Sequence, residues 1–422
     1  MLKIFLLFCF LFSFSSWAQE KLTLEQCYQL TLKRNENIPI SDQDIQQAKA
    51  RYIQALGTVI PQLAMVASEF LQDDHAQGST QTAAGNVANT LTRFSRPQVG
   101  FTVTQSFFKG LREYQAIRIS KTTQSMNRYK KEDVERLLYR DVAMAFYTIA
   151  KIELDIHTTK KMISTLKSQL VDLKKRVDLG KSRESEWLAQ EASLSLLEAD
   201  LLKKEGDVKI AYEMLSFLTG LDPQPSIRVE DPLTEKLNPL ENYASKIQER
   251  PDIQASKKSL EVAERNVNVS RGGLLPNLGV VMGLYPYRVG YLSEVYWDAN
   301  FVLTVPIFNL TTWGEIKEAK SKALQEALRL QYNYRFANTE VKKAYVAYQA
   351  SLGQYKKYEV ASRKSEASYQ SQQEDFRLNL IDHFQVLQVE RTWLEALRSR
   401  DAAKAQAWAD HANLKITSGM VP

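Results

Sequence analysis

Side chains that attack, carry protons or hold metals are scarce in this chain of 422 residues. The four histidines, His75, His157, His383 and His411, lie far apart, and no two share a helical turn. His75 follows Asp73 and Asp74, but a carboxylate pair beside one imidazole in a polar loop reads as a solvated surface rather than a metal site. No Gly-rich phosphate loop, nucleophile elbow or zinc signature occurs. Glu and Asp recur with Lys and Arg at spacings typical of solvated helix faces. The sequence therefore predicts no catalytic residue, no metal and no cofactor, and the energy for any transport would come from a partner.

The remaining signals concern placement. The start, MLKIFLLFCFLFSFSSWA, has one charge at Lys3, an apolar run from Ile4 to Phe14, and Ser16 and Ala18 as a small-x-small end. It reads as a signal peptide over residues 1–18. Cys9 falls inside it without the small neighbours of a lipidation site, which leaves Cys27 as the one mature cysteine and excludes an intrachain disulfide. The net charge of +6 is too diffuse for a nucleic-acid partner. Beyond the signal no apolar run reaches about 20 residues, so a membrane-inserted form would have to be a barrel.

The chain is duplicated. TVIPQL at Thr58 to Leu63 recurs as GLLPNL at Gly273 to Leu278, and Phe101, Thr104 and Phe108 recur as Phe301, Thr304 and Phe308. Val142, Leu179, Glu191 and Gly220 recur as Val341, Leu378, Glu390 and Gly419. This gives a first repeat over 19–220, a Pro-rich connector over 221–245 and a second repeat over 246–422. The first repeat carries an insertion, DDHAQGSTQTAAGN, expected to be a surface loop.

Leu111 to Leu179 and Gln354 to Ser418 contain neither Gly nor Pro. Helices of that length need antiparallel or parallel neighbours, since one reaches roughly 100 Å. Ile163, Leu166, Leu170, Leu173 and Val177 are spaced 3, 4, 3, 4, a coiled-coil seam that folds back at LGKSRE and, in the second repeat, at LNLIDH. Four segments alternate instead, near 62–71, 98–107, 277–288 and 296–305. Val99, Phe101 and Val103 share one face, as do Trp297, Ala299, Phe301 and Leu303, while Tyr285, Tyr287, Tyr291, Tyr296 and Trp297 gather near strand ends. Pro61 and Pro276 precede two of these segments; Pro ends a helix and is tolerated at a strand's first residue, so both are expected at helix-to-strand junctions. Four strands cannot close a barrel, for which about eight is the minimum, so strands in a membrane require several protomers.

These motifs resemble the TolC-type outer-membrane efflux protein family: LTLEQCYQLTLKRNENI at the start, the strand-opening Pro, VPIFN followed by WGEIKEAKSKA, and the tips RVDLGKSRESEWLAQEA and FRLNLIDHFQVLQVERTWLEA. The resemblance implies a mainly α protein with a transmembrane β-barrel: a homotrimer with a 12-strand barrel, four strands per protomer, continued by a long antiparallel coiled-coil α-barrel in the periplasm. It implies a passive exit duct for a tripartite efflux pump or type I secretion system, with a periplasmic adaptor (membrane fusion protein), an inner-membrane pump and outer-membrane lipid as partners. Some members close the duct with acidic residues six and nine positions after the turn glycine of the second hairpin; here Gln385 and Gln388 stand there. Asp382 and Glu186, near the two turns, are the alternative gate or selectivity residues, since carboxylate rings select cations. Leu179, Gly180, Lys181 and Ser182, with Leu378, Asn379, Leu380 and Ile381, are the expected adaptor-docking tips. The competing reading is a secreted or periplasmic coiled-coil scaffold without a pore.

Overall fold

The computed structural model describes residues 22–71, 95–221, 226–231, 233, 237–288, 295–378 and 380–420. The signal segment, the loop holding Asp73, Asp74 and His75, and Asn379 lie outside the described residues, as does Tyr291. The chain divides into two compact units whose boundaries fall inside its longest helices.

The first unit comprises Met1–Ile40, Lys131–Pro251 and Tyr334–Pro422. It holds α1 (Leu24–Arg34), most of α3 (Arg112–Asp178), α4 (Glu184–Thr219), α5 (Leu240–Ala244), much of α7 (Leu310–Arg377), and α8 (His383–Thr417). Thr23 starts α1 with a capping box, its hydroxyl accepting from the Gln26 N–H while the Gln26 side chain accepts from the Thr23 N–H. The core joins Cys27 and Tyr28 of α1 to Val142, Phe146 and Ile149 of α3, Leu215 and Leu218 of α4, and Trp408 and Ile416 of α8. Burial pushes the Cys27 thiol up to about 11, so this cysteine is an inert apolar filler. The connector is tied down by the Leu22–Ile227 bridge and by Asp231, which accepts from Trp408 Nε1 at 2.9 Å and pairs with Lys404 at 2.8 Å.

The duplication is visible in three dimensions. Gly220 after α4 packs against Arg34, whose guanidinium donates to the Gly220 carbonyl; Gly419 after α8 packs against Arg250, which donates to the Thr417 carbonyl. Val142 and its counterpart Val341 are both fully buried.

The second unit comprises Ser41–Lys130 and Asp252–Asn333. It holds most of α2 (Asn37–Gly57), β1 (Gln62–Leu71), β2 (Ser95–Lys109), the start of α3, α6 (Pro251–Arg271), β3 (Asn277–Arg288), β4 (Tyr296–Thr304) and the start of α7. The strands form one antiparallel sheet in the order β1-β2-β3-β4. β2 extends beyond the alternating 98–107 core because its neighbours hold both ends: Ser95 to Pro97 pair with β1, and Phe108 and Lys109 pair with β3. Pro97, which cannot donate to a ladder, lies where β2 has a partner on one side only.

Candidate functional site

Two surfaces carry the functional signals, one in each unit. In the sheet, register aligns like with like. Leu63, Val103, Met282 and Ala299 form one row across all four strands, and Met65, Phe101, Leu284 and Trp297 form another. Between them, on the opposite face, run Ala64, Thr102, Gly283 and Asp298. Two register shifts preserve this sorting. One places Pro286 of β3 at an irregularity, where its missing N–H costs the ladder nothing. The other, at Phe107, brings Phe108 into register with Leu278 and Leu303. Leu63, Met65, Trp297, Phe301 and Leu303 are all well exposed. Among the described residues β1 pairs only with β2 and β4 only with β3, so both outer strands have open edges. An exposed apolar face with open edges suits lipid only when further strands complete it.

The helix-to-sheet junctions are tightly built. Pro61 immediately precedes β1, and Pro276 precedes β3 after the 3-10 turn Gly272–Leu274. Gly110 and Leu111 both adopt the left-handed region, with φ of 65° and 63°. For Leu111 this is a strained conformation costing about 1 kcal/mol or more. A Cβ on Gly110 would lie 2.1 Å from the Gly272 carbonyl oxygen, so the two junctions meet backbone to backbone.

At the tips in the first unit, α3 ends in a Schellman motif. The Lys181 N–H donates to the Arg176 carbonyl and the Gly180 N–H to the Val177 carbonyl, with Gly180 at φ +70°. α7 ends with the Leu380 N–H donating to the Asp375 carbonyl. Leu179, Leu378 and Leu380 are 69%, 68% and 69% exposed, while Ile381 packs against the Tyr369–Trp393 cluster. The gate candidates differ in their surroundings. Asp382 caps α8, its carboxylate accepting from the Gln385 N–H at 2.9 Å. Gln385 and Gln388 are exposed, and Glu186 is half-buried in the first turn of α4, where the helix dipole favours a carboxylate. Arg183, the residue at the Asp382 position of the first hairpin, gives α4 no side-chain cap.

Two clusters that the sequence reading missed join the hairpins above these tips. Lys204 of α4 is almost completely buried; its ammonium pairs with Asp155 of α3 at 3.0 Å and Asp200 of α4 at 2.8 Å, and donates to Thr159 at 2.8 Å. Arg398 of α8 closes the set, reaching Asp155 at 3.1 Å and Asp200 at 3.4 Å. The Lys204 hydrogen bond holds the Asp200 carboxyl below its usual range.

Nearer the tips, Gln190 of α4 donates to Gln169 of α3, and Gln169 donates to the Tyr369 hydroxyl of α7 at 2.9 Å. Tyr369 stacks on Trp393 of α8 with ring centroids 5.0 Å apart. Beside them Glu390 is 3% exposed, and its Oε1 has no hydrogen-bond partner. Burial pushes the Glu390 carboxyl up to about 7, against the opposing pull of Gln169. The signal was present in the sequence: Glu390 interrupts a stripe of Val386, Trp393, Leu394 and Leu397, a carboxylate at a core position of a coiled coil.

Among the described residues no cluster of three metal-ligating side chains occurs, and no helix is long and apolar enough to cross a membrane.

The chain matches the family model described as outer membrane efflux protein over residues 27–221 and 243–419. It is 23% identical over 387 residues to the pyoverdine export outer membrane protein OpmQ of Pseudomonas putida, a match covering 88% of this chain and 80% of that one. It is 25% identical to the outer membrane efflux protein BepC of Brucella suis over 183 residues, which span 43% of this chain and 40% of the relative. The fold is that of the outer membrane protein VceC of Vibrio cholerae, with a TM-score of 0.80 at 15% identity over 94% of this chain and 96% of that one. With the family model covering both repeats, this chain belongs to the outer membrane efflux protein family and is a protein of the outer membrane.

Proposed function

We propose that three copies of the chain close a 12-strand barrel in the outer membrane and form the passive exit duct of a tripartite efflux or type I secretion assembly. One observation carries this reading: a four-stranded sheet with apolar rows across every strand and an open edge on each side. Such a sheet is completed by identical neighbours, β4 of one copy against β1 of the next. The family and its relatives support the export role. At the hairpin tips, the exposed Leu179, Leu378 and Leu380 offer an apolar contact to a periplasmic adaptor, which is costly to leave in water. Glu186, Asp382, Gln385 and Gln388 are the candidates for the ring that narrows the duct, with the Asp382 cap fixing where α8 starts. The inner-membrane pump supplies the energy and, with the adaptor, selects the cargo.

The test is reconstitution. Purified protein should fractionate with outer membranes, run as an oligomer in detergent and conduct ions across a planar bilayer. Replacing both Phe301 and Leu303 with Lys should abolish membrane assembly, since each charge on a lipid-facing position costs about 2 to 4 kcal/mol at mid-membrane. A monomer that stays in solution without detergent would favour a poreless coiled-coil scaffold. Replacing Leu378 and Leu380 with Asp should remove adaptor co-purification while leaving conductance in place.

A further inference from the structure

Glu390 is not among the gate or docking candidates, yet it sits where all four helices of the two hairpins meet. α3 contributes Gln169, α4 contributes Gln190, α7 contributes Tyr369, and α8 contributes Glu390 and Trp393. The carboxyl is nearly sealed from water, and one of its oxygens has no partner. The groups around it do not neutralise a negative charge. Gln169 and Gln190 are neutral amides, and the Tyr369 hydroxyl, which accepts from Gln169, is neutral as well. The cations nearest the cluster are engaged by other groups: Lys161 of α3 lies over the Trp393 ring, Arg176 of α3 lies over Phe376, and Arg377 of α7 pairs with Glu374. On α4, Lys174 of α3 covers Trp187, while Glu191 is exposed. An ionised carboxylate in this setting is uncompensated, whereas a protonated one is a neutral group that can donate to a neighbour.

We propose that Glu390 is a proton-operated latch between the hairpins: protonated, it lets the second hairpin pack on the first, and ionised, it drives them apart until water reaches the carboxylate. The proton passes directly between Glu390 and solvent, and no other reactant is involved. The inference rests on reading the chain as a duct that opens at its tips. It gives that opening a second control beside the adaptor, set by periplasmic acidity. Acid conditions hold the tips closed; neutral and alkaline conditions make them easier to open. The carboxyl's position near 7 places the transition within the range an outer-membrane protein experiences.

The experiment uses the full chain reconstituted in lipid nanodiscs, with spin labels on Lys181→Cys and Leu380→Cys, both exposed at the tips; Cys27 is fully buried and stays unlabelled. Distance distributions are recorded between pH 5 and pH 8. The separated population should follow the ionised fraction, which rises about tenfold between pH 6 and pH 8 for a group titrating near 7. Glu390→Gln should hold the short distance throughout. Gln169→Met, which removes the one group that favours the charged form, should move the midpoint to higher pH, and it keeps the test decisive if the first variant folds poorly. A pH profile unchanged in Glu390→Gln, or a midpoint unmoved in Gln169→Met, overturns the proposal. Conductance of the same samples separates the two levels: a channel that conducts with no pH response sinks the latch alone, and absence of conductance at every pH sinks the duct.

Discussion

Replacing Lys204 with Met should loosen the packing of the two hairpins without disturbing the sheet. The substitution keeps an unbranched side chain of similar volume but removes the charge that faces Asp155, Asp200 and Thr159. Breaking one side of a buried ion pair costs about 3 to 5 kcal/mol because the partner is left uncompensated. Here two features reduce that figure: the carboxylates are 29% and 32% exposed, and Arg398 still reaches both. The expectation is therefore about 2 to 3 kcal/mol, which corresponds to roughly 30- to 150-fold faster amide exchange where opening and closing are fast. The assay is hydrogen exchange by mass spectrometry on the assembled protein, following peptides around Asp155, Lys204 and Arg398. Global unfolding is a poor substitute, because the stability of an oligomer depends on its concentration. Asp200→Asn in the Lys204→Met background should recover part of the loss by removing one stranded carboxylate. Acidification should act in the same sense as the mutation: the Asp200 carboxyl is held low by Lys204, so its contribution is present above its unfolded range and is lost as pH falls through the folded value. Exchange within threefold of wild type in Lys204→Met, or a double variant worse than the single, would refute this account of the cluster.

Other expectations follow from the same geometry. Arg183→Asp should give α4 the side-chain cap that Asp382 gives α8, slowing exchange in the first turn by the equivalent of about 0.5 to 1 kcal/mol. Gly272→Ala places a methyl 2.5 Å from the Gly110 carbonyl oxygen, where backbone must give way, so loss of about 1 to 3 kcal/mol should appear as poor assembly into membranes. Glu390 contributes to stability with the opposite sign to Asp200: its carboxyl is raised from 4.5 to about 7, so packing of the second hairpin weakens as pH rises between those values, by at most about 3 kcal/mol. Exchange around Val386 and Leu397, corrected for the intrinsic rate, should show that trend in wild type and lose it in Glu390→Gln.

Architecture was legible because the structure obeys periodic rules over long spans. The absence of Gly and Pro from Leu111 to Leu179 leaves helix as the consistent state, and alternation around Phe101 and Phe301 leaves strand. Register was also partly readable, since a slip by one residue would have put Asp298 and Asn300 on the apolar face. What escaped were features that depend on which helix meets which. Lys204 looks like any other lysine on a charged helix until three helices converge on it. The pair Gly110 and Leu111 is hidden for a similar reason: a left-handed Gly is an ordinary signal, but nothing in the sequence marks a left-handed Leu or the close approach of Gly272 to Gly110. Glu390 escaped as well, although a polar residue in an apolar stripe is marked as unusual by its position alone.

The duplicated halves have a consequence for symmetry. In the proposed ring of three copies each ancestral position would occur six times in two versions, so the repeat would be sixfold in number but threefold in chemistry. A ring of six identical short subunits would have to change all its hairpins together. With two versions per chain, one hairpin can drift toward a rigid support and the other toward a moving part, and every mutation is then felt at three places around the circumference instead of six. Arg183 opposite Asp382 is a difference of that kind, and Glu191 and Glu390, the same residue exposed in one hairpin and buried in the other, have come to differ in their surroundings.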